Sequence, residues 1–161
     1  MNDIDSAINQ QLEAVASTPS KSADRAIHLL NLGLSYGSRF EDSDHAKDID
    51  SSIERILEAD VSIRIERSER PDYLCRLGAS YIGRFPRFGE VKDIDLAIKY
   101  QLEGVTSTPL KSLDRVVRLT NLAVAYRTRF KRLKEMKDID LSPSNYYSRQ
   151  FLPFRSTALT A

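Results

Sequence analysis

Asp-Ile-Asp occurs four times in this chain, at Asp3-Ile4-Asp5, Asp48-Ile49-Asp50, Asp93-Ile94-Asp95 and Asp138-Ile139-Asp140, each 45 residues after the last. Tyr36, Tyr81 and Tyr126 keep the same step, as do Arg39-Phe40, Arg84-Phe85 and Arg129-Phe130. A fixed period of this length marks a stacked repeat, in which each unit buries its apolar face only against its neighbours. Such a period speaks to architecture and leaves the partner open.

Each unit reads as two helices. In the first, Asp3 to Ala16 carries Ile4, Ala7, Ile8, Gln11, Leu12 and Val15 at the spacing of one buried face. Asp3 is placed to cap the first free amides, and Asp5 favours the positive end of the helix dipole. Ser17-Thr18-Pro19 stops this helix, because proline disfavours helix at the residue before it. Asp24 is the next N-cap candidate, and Ala26, Ile27, Leu29, Leu30, Leu32, Gly33 and Tyr36 make a second amphipathic helix that ends near Arg39-Phe40. Glu41 to Lys47 reads as a polar loop. The third unit, 93–130, matches the first at 22 of 38 positions, and the middle unit, 48–85, at 17 of 38. The middle unit lacks Ser-Thr-Pro, and its second helix opens at Pro71, where a missing N–H costs nothing. Pro86 and Gly89 are expected to end that helix after Phe85, whereas nothing stops the last full helix before Lys137. The fourth unit aborts at Pro143. Residues 1–140 are therefore read as the repeat array. Residues 141–161, with two prolines and no acidic residue, are read as irregular or disordered.

Lys plus Arg total 24 against 23 Asp plus Glu, and this balance argues against a dedicated nucleic-acid or membrane-surface binder. The single cysteine, Cys75, fits a reducing compartment. The N-terminus shows no signal-peptide pattern, and no apolar run approaches the roughly 20 residues of a membrane span. A cytoplasmic or nuclear protein is expected.

Leu32-Gly33-x-x-Tyr36, followed by small residues at Ser52 and Ala59, resembles the tetratricopeptide repeat. The next unit repeats it with Leu77, Gly78 and Tyr81, then Ala97, Gly104 and Pro109, and the third has Leu122, Ala123 and Tyr126. The 45-residue period exceeds the family's 34, and the 11 extra residues fall in the loops. Long-loop repeats with Asp-x-Asp-x-Ala-Ile and Thr-Pro are similar to those of fungal proteins whose arrays lie beside a caspase-like CHAT domain or a nucleotide-binding domain. The resemblance covers about residues 3–140. It implies an all-α fold: a short right-handed α-solenoid of about three antiparallel helix pairs. The array starts on a second-type helix and stops inside a new unit, as a fragment of a longer array would. Its open ends are expected to expose apolar faces, through which the protein self-associates or over which the tail aromatics fold.

No catalytic constellation is legible. His28 and His45 are the only histidines, and Cys75 occupies the helical offset of Leu30 and Thr120, which reads as a packed small residue rather than a nucleophile. Asp42, Asp44, His45 and Asp48 gather in one loop, but the equivalent loops lack the cluster, so a solvated acidic loop is favoured over a metal site. Neither an enzyme nor a cofactor is expected. Two arginine ladders, Arg25/Arg70/Arg115 and Arg39/Arg84/Arg129, read more simply as ties between units than as an anion-binding track.

By the resemblance, the first helix of each pair lines a concave groove. Its inward offsets are Ile27, Leu30, Asn31 and Leu34, then Asp72, Cys75, Ala79 and Ile82, then Val117, Thr120, Val124 and Arg127. Asn31 and Asn121 echo the family's clamp asparagines, but the paired basic residues are missing. An apolar peptide or helix is therefore the expected occupant. The expected function is a non-catalytic protein–protein interaction scaffold. The alternatives are a regulatory fragment of a fungal CHAT-protease or nucleotide-binding receptor protein, and an anion- or RNA-binding helical repeat.

Overall fold

A computed structural model describes residues 3–20, 22–43, 45–62 and 69–134. The described residues form six α-helices and no strand: α1 (Asp3–Ser17), α2 (Ala23–Ser43), α3 (Ala46–Ser62), α4 (Arg70–Phe88), α5 (Val91–Thr106) and α6 (Asp114–Leu133). Each helix packs on the next, and α2 also meets α4, as α4 meets α6. One apolar cluster joins Phe40 with α3, α4, α5 and α6, centred on Ile56, Leu77, Phe85 and Ile94. A second holds α1 against α2, with Ile8, Val15, Leu29 and Leu32, and takes in Ala59 and Tyr73. The irregular tail expected over 141–161 and the aborted fourth unit lie outside the described residues.

Helix ends differ from the sequence reading in ways that have local causes. The amides of Asp24 and Asp114 donate to the hydroxyl oxygens of Ser22 and Ser112, at 3.2 and 3.3 Å, so a serine two residues earlier, and not the aspartate, accepts a free amide at each helix start; at α6 the N-cap position itself is Leu113. α2 runs on to Ser43 and α3 starts at Ala46, which shortens the expected polar loop. α4 continues through Pro86 to Phe88, and Gly89 ends it in a left-handed conformation (φ 74°) with its N–H on Phe85 O. α6 stops at Leu133 rather than Lys137, because Lys134 adopts φ 58° and its N–H bonds Phe130 O.

At α3 and α5 the repeated Asp-Ile-Asp is not a cap. Asp48 and Asp93 lie in the first turns of α3 and α5, and both are buried. Arg39 at the end of α2 grips Asp48 through two nitrogens, at 2.8 and 2.7 Å, and reaches Asp5 at the start of α1, at 2.8 Å. Arg84 does the same one unit later, to Asp93 at 2.9 and 2.6 Å and to Asp50 at 2.7 Å. Arg129 bonds Asp95 at 2.8 Å. Each arginine also lies over the tyrosine three residues before it: Tyr36, Tyr81 and Tyr126. The paired aspartates hold the Arg39 and Arg84 guanidinium groups above their ordinary range.

The other ladder ties the opposite ends. Arg25 donates to the carbonyls of Val15 and Thr18 at the end of α1, and Arg115 donates to those of Val105 and Thr108 at the end of α5. Arg70, whose unit lacks Ser-Thr-Pro, instead meets Glu103 at 2.5 Å and Asp60 at 3.6 Å. The start of each even-numbered helix is thus bound to the ends of its neighbours, and its end to their starts, so consecutive helices run antiparallel.

Close approach is set by small residues. A Cβ on Gly33 would lie 2.8 Å from Ile56 Cγ1 and 3.0 Å from Ser52 O, and one on Gly78 would lie 2.9 Å from Gln101 Cγ and 3.1 Å from Ala97 O. These glycines let α2 meet α3, and α4 meet α5, backbone to backbone.

Candidate functional site

A solvent-open cleft of about 630 Å³ lies across α2, α4 and α6. Leu34, Ser38 and Glu41 face it from α2. Asp72, Cys75, Arg76, Ala79, Ser80 and Gly83 form a stripe along α4, and Asp114, Val117, Arg118 and Asn121 a stripe along α6. Gly37, Phe40, Ile49 and Ser52 complete the lining.

The cleft is mixed in character and partly pre-wired. Arg118 crosses from α6 to bond Asp72 on α4 at 2.5 Å, and its other nitrogen donates to Thr108 Oγ1. The Ser52 and Ser80 hydroxyls are 3.2 Å apart, and Ser80 also donates to Arg76 O. Arg76, Ala79, Asp114 and Val117 remain exposed, the last at 62%. The cleft therefore presents both charges beside a few apolar contacts, which suits a peptide of mixed character better than a wholly apolar helix.

The expected groove residues divide. Leu34, Cys75, Ala79 and Val117 line the cleft. Leu30 and Ile82 pack against the core instead. Val124 is half-buried outside the cleft, while Ile27, Asn31, Thr120 and Arg127 are exposed and do not line it. Equal offsets meet in adjacent units, as Leu34 with Ala79 and Asp72 with Val117, but no offset lines the cleft from all three helices. Facing residues fall back by more than one helical turn from α2 to α4 and again from α4 to α6, so the cleft runs diagonally across the three helices. Ser38, Glu41, Arg76 and Arg118 were missed because none of them repeats. Arg118 stands where His28 and Tyr73 stand in the other units, and Arg76 where Asn31 and Asn121 stand; these departures from the repeat were the legible signal.

Cys75 is 7% exposed, and burial pushes its thiol from 9.0 up to about 11, against the pull of Arg118. A buried, protonated thiol is a poor nucleophile. A thiol reagent at pH 8 is expected to leave Cys75 unmodified in the folded protein and to titrate it fully in denaturant. Because the folded-state value is the raised one, this group's contribution to stability is complete below pH 9 and is lost as pH rises toward 11. A wild-type urea midpoint that falls no more from pH 8 to 11 than that of Cys75→Ala would contradict this.

Of the loop acids, Asp48 is committed to Arg39, Asp42 and His45 are exposed, and Asp44 lies outside the described residues. Among the described residues no group of three His, Cys, Asp or Glu side chains is placed to hold a metal ion. No described helix is long and apolar enough to cross a membrane. Compared with protein-family models, with curated proteins and with solved structures, the chain matches none.

Proposed function

We propose that this chain is a non-catalytic protein-interaction scaffold: a short right-handed solenoid of tetratricopeptide-like helix pairs that holds a peptide of a cytoplasmic partner. The reading is supported by the recurrence of the same contacts every 45 residues, with Gly33 against Ser52 and Gly78 against Ala97, where the resemblance asks for small residues. The observation that carries it is the cleft itself, which runs across α2, α4 and α6 and leaves Arg76, Ala79, Asp114 and Val117 exposed. The arginine ladders are engaged with carboxylates and carbonyls of the chain's own helices, which turns attention from the ladders to the cleft. Small or apolar side chains of the peptide would meet Leu34, Ala79 and Val117. An acidic group would meet Arg76, and a basic one Glu41.

Selection from a random-peptide display library on the full chain, followed by fluorescence anisotropy, tests this reading. Recovered peptides are expected to lose at least tenfold in affinity on Ala79→Arg and to be unaffected by Leu102→Arg, which alters an exposed residue outside the cleft. Peptides indifferent to Ala79→Arg would refute the cleft as the binding site.

A further inference from the structure

The outer face of α6 breaks a pattern that α2 and α4 keep. Ala26 and Pro71 are buried, but Val116, at the same offset, is 65% exposed. Gly33 and Gly78 are buried, while Ala123 is half-exposed, and Cys75 is buried where Thr120 is exposed. In α2 and α4 this face is covered by the following helix. There Ser52, Ile56 and Ala59 of α3, and Ala97, Gln101 and Gly104 of α5, are all buried. Gln101 Nε2 donates to Cys75 O at 2.8 Å, and a Cβ on Gly104 would lie 2.6 Å from Cys75 Sγ.

The matching half of the α4–α5 junction exists elsewhere in the chain. α1 carries Ala7, Gln11 and Ala14 at the offsets of Ala97, Gln101 and Gly104, and all three are partly exposed. α1 packs on α2, so the side that α5 turns to α4 has no described helix against it. The sequence after α6 does not supply an equivalent: the same offsets there hold Ser142, Tyr146 and Arg149, with Pro143 among them. An arginine does not fit where a single methyl group would already crowd its neighbour.

We propose that α1 of one copy docks on the outer face of α6 of another, so that chains join head to tail. Ala7 and Ala14 lie against Ala123 and Val116, and the Gln11 amide donates to the carbonyl of Thr120, as Gln101 does to Cys75. Ala123 in place of glycine holds the helices slightly farther apart than α4 and α5, which makes the contact weaker than the internal one. The two surfaces differ, so the contact is heterologous and a dimer joined by it keeps one free face of each kind. Association then grows with concentration rather than halting at a dimer. This proposal rests on the likeness of the repeats and not on peptide binding in the cleft, so the two can fail separately.

Sedimentation velocity on the full chain over a wide concentration range tests it, with circular dichroism to confirm that the variants fold. The weight-average mass is expected to rise steadily. Ala14→Arg and Val116→Arg should each be monomeric alone. Mixed in equal amounts, they should form a 1:1 heterodimer that grows no further, because each retains the face the other lacks. A wild-type monomer at every concentration would overturn the proposal. So would a dimer abolished by Val116→Arg but not by Ala14→Arg, since that result means α6 pairs with α6.

Discussion

Arg84→Ala is expected to destabilise the protein by about 3–5 kcal/mol, the cost of stranding a buried carboxylate. Arg84 has two acidic partners of unequal weight. The Asp50 side chain is 62% exposed, and an ion pair of that kind contributes about 1 kcal/mol or less. The Asp93 side chain is 3% exposed and is held by two guanidinium nitrogens. Removing the arginine leaves Asp93 in the interface between α4 and α5 with its charge unmet, and this loss dominates. In urea denaturation followed by circular dichroism the midpoint should fall sharply, and the thermal midpoint by roughly 10 °C. Replacing both partners, Arg84→Met with Asp93→Leu, should recover much of the loss, because the buried charge goes with its mate. Arg76→Ala, on the exposed side of the same helix, should stay within about 0.5 kcal/mol of wild type. An Arg84→Ala protein as stable as Arg76→Ala would show that the Asp-Ile-Asp and Arg-Phe pairing does not hold the units together.

Gly33→Val should cost about 2–3 kcal/mol, and even Gly33→Ala should destabilise. Alanine is the better helix former by about 1 kcal/mol, so a gain is the default at an unconstrained helical glycine. At Gly33 the new methyl meets Ile56 Cγ1 at 2.8 Å and the backbone oxygen of Ser52 at 3.0 Å, and a backbone atom yields only if α3 moves away from α2. Gly37, one turn on, meets only Ser52 Oγ at 3.4 Å, an ordinary contact. Gly37→Ala should therefore stabilise by roughly 0.5–1 kcal/mol. The chain carries its own control in Ala123, which fills the same offset in α6, where no described helix lies opposite. Equal effects of alanine at positions 33 and 37 in thermal denaturation would refute the close-approach argument.

Period and apolar spacing were enough to predict six helices, their order and most of the core. Ile8, Val15, Ala26, Leu29 and Leu32 are buried as their spacing requires, though Leu12 and Ile27 at the edge of the same stripes are 43% and 46% exposed. The sequence also showed that aspartate and arginine recur together, without showing what they do. A local reading turns Asp3 and Asp24 into helix caps, because capping is the only role visible within one turn of chain. The partners of Asp48 and Asp50 are Arg39 and Arg84, 9 and 34 residues away, and only folding brings them together.

The candidate cleft was the least legible part. A repeat specifies which face of each helix is buried, since burial is local and periodic. It does not specify how far one helix is displaced along the next, because that depends on where Gly33 and Gly78 allow backbones to touch and where the arginines pin the ends. That displacement is why Leu34, Cys75, Ala79 and Val117 converge while Ile27, Asn31 and Arg127 do not. The amino-acid sequence by itself determined the unit, its two helices and their buried faces, through spacing repeated every 45 residues. Tertiary structure alone decided the diagonal course of the cleft, the pairing of Arg39 and of Arg84 with two aspartates each, and the open face of α6, because each arises from contacts between residues far apart in the chain.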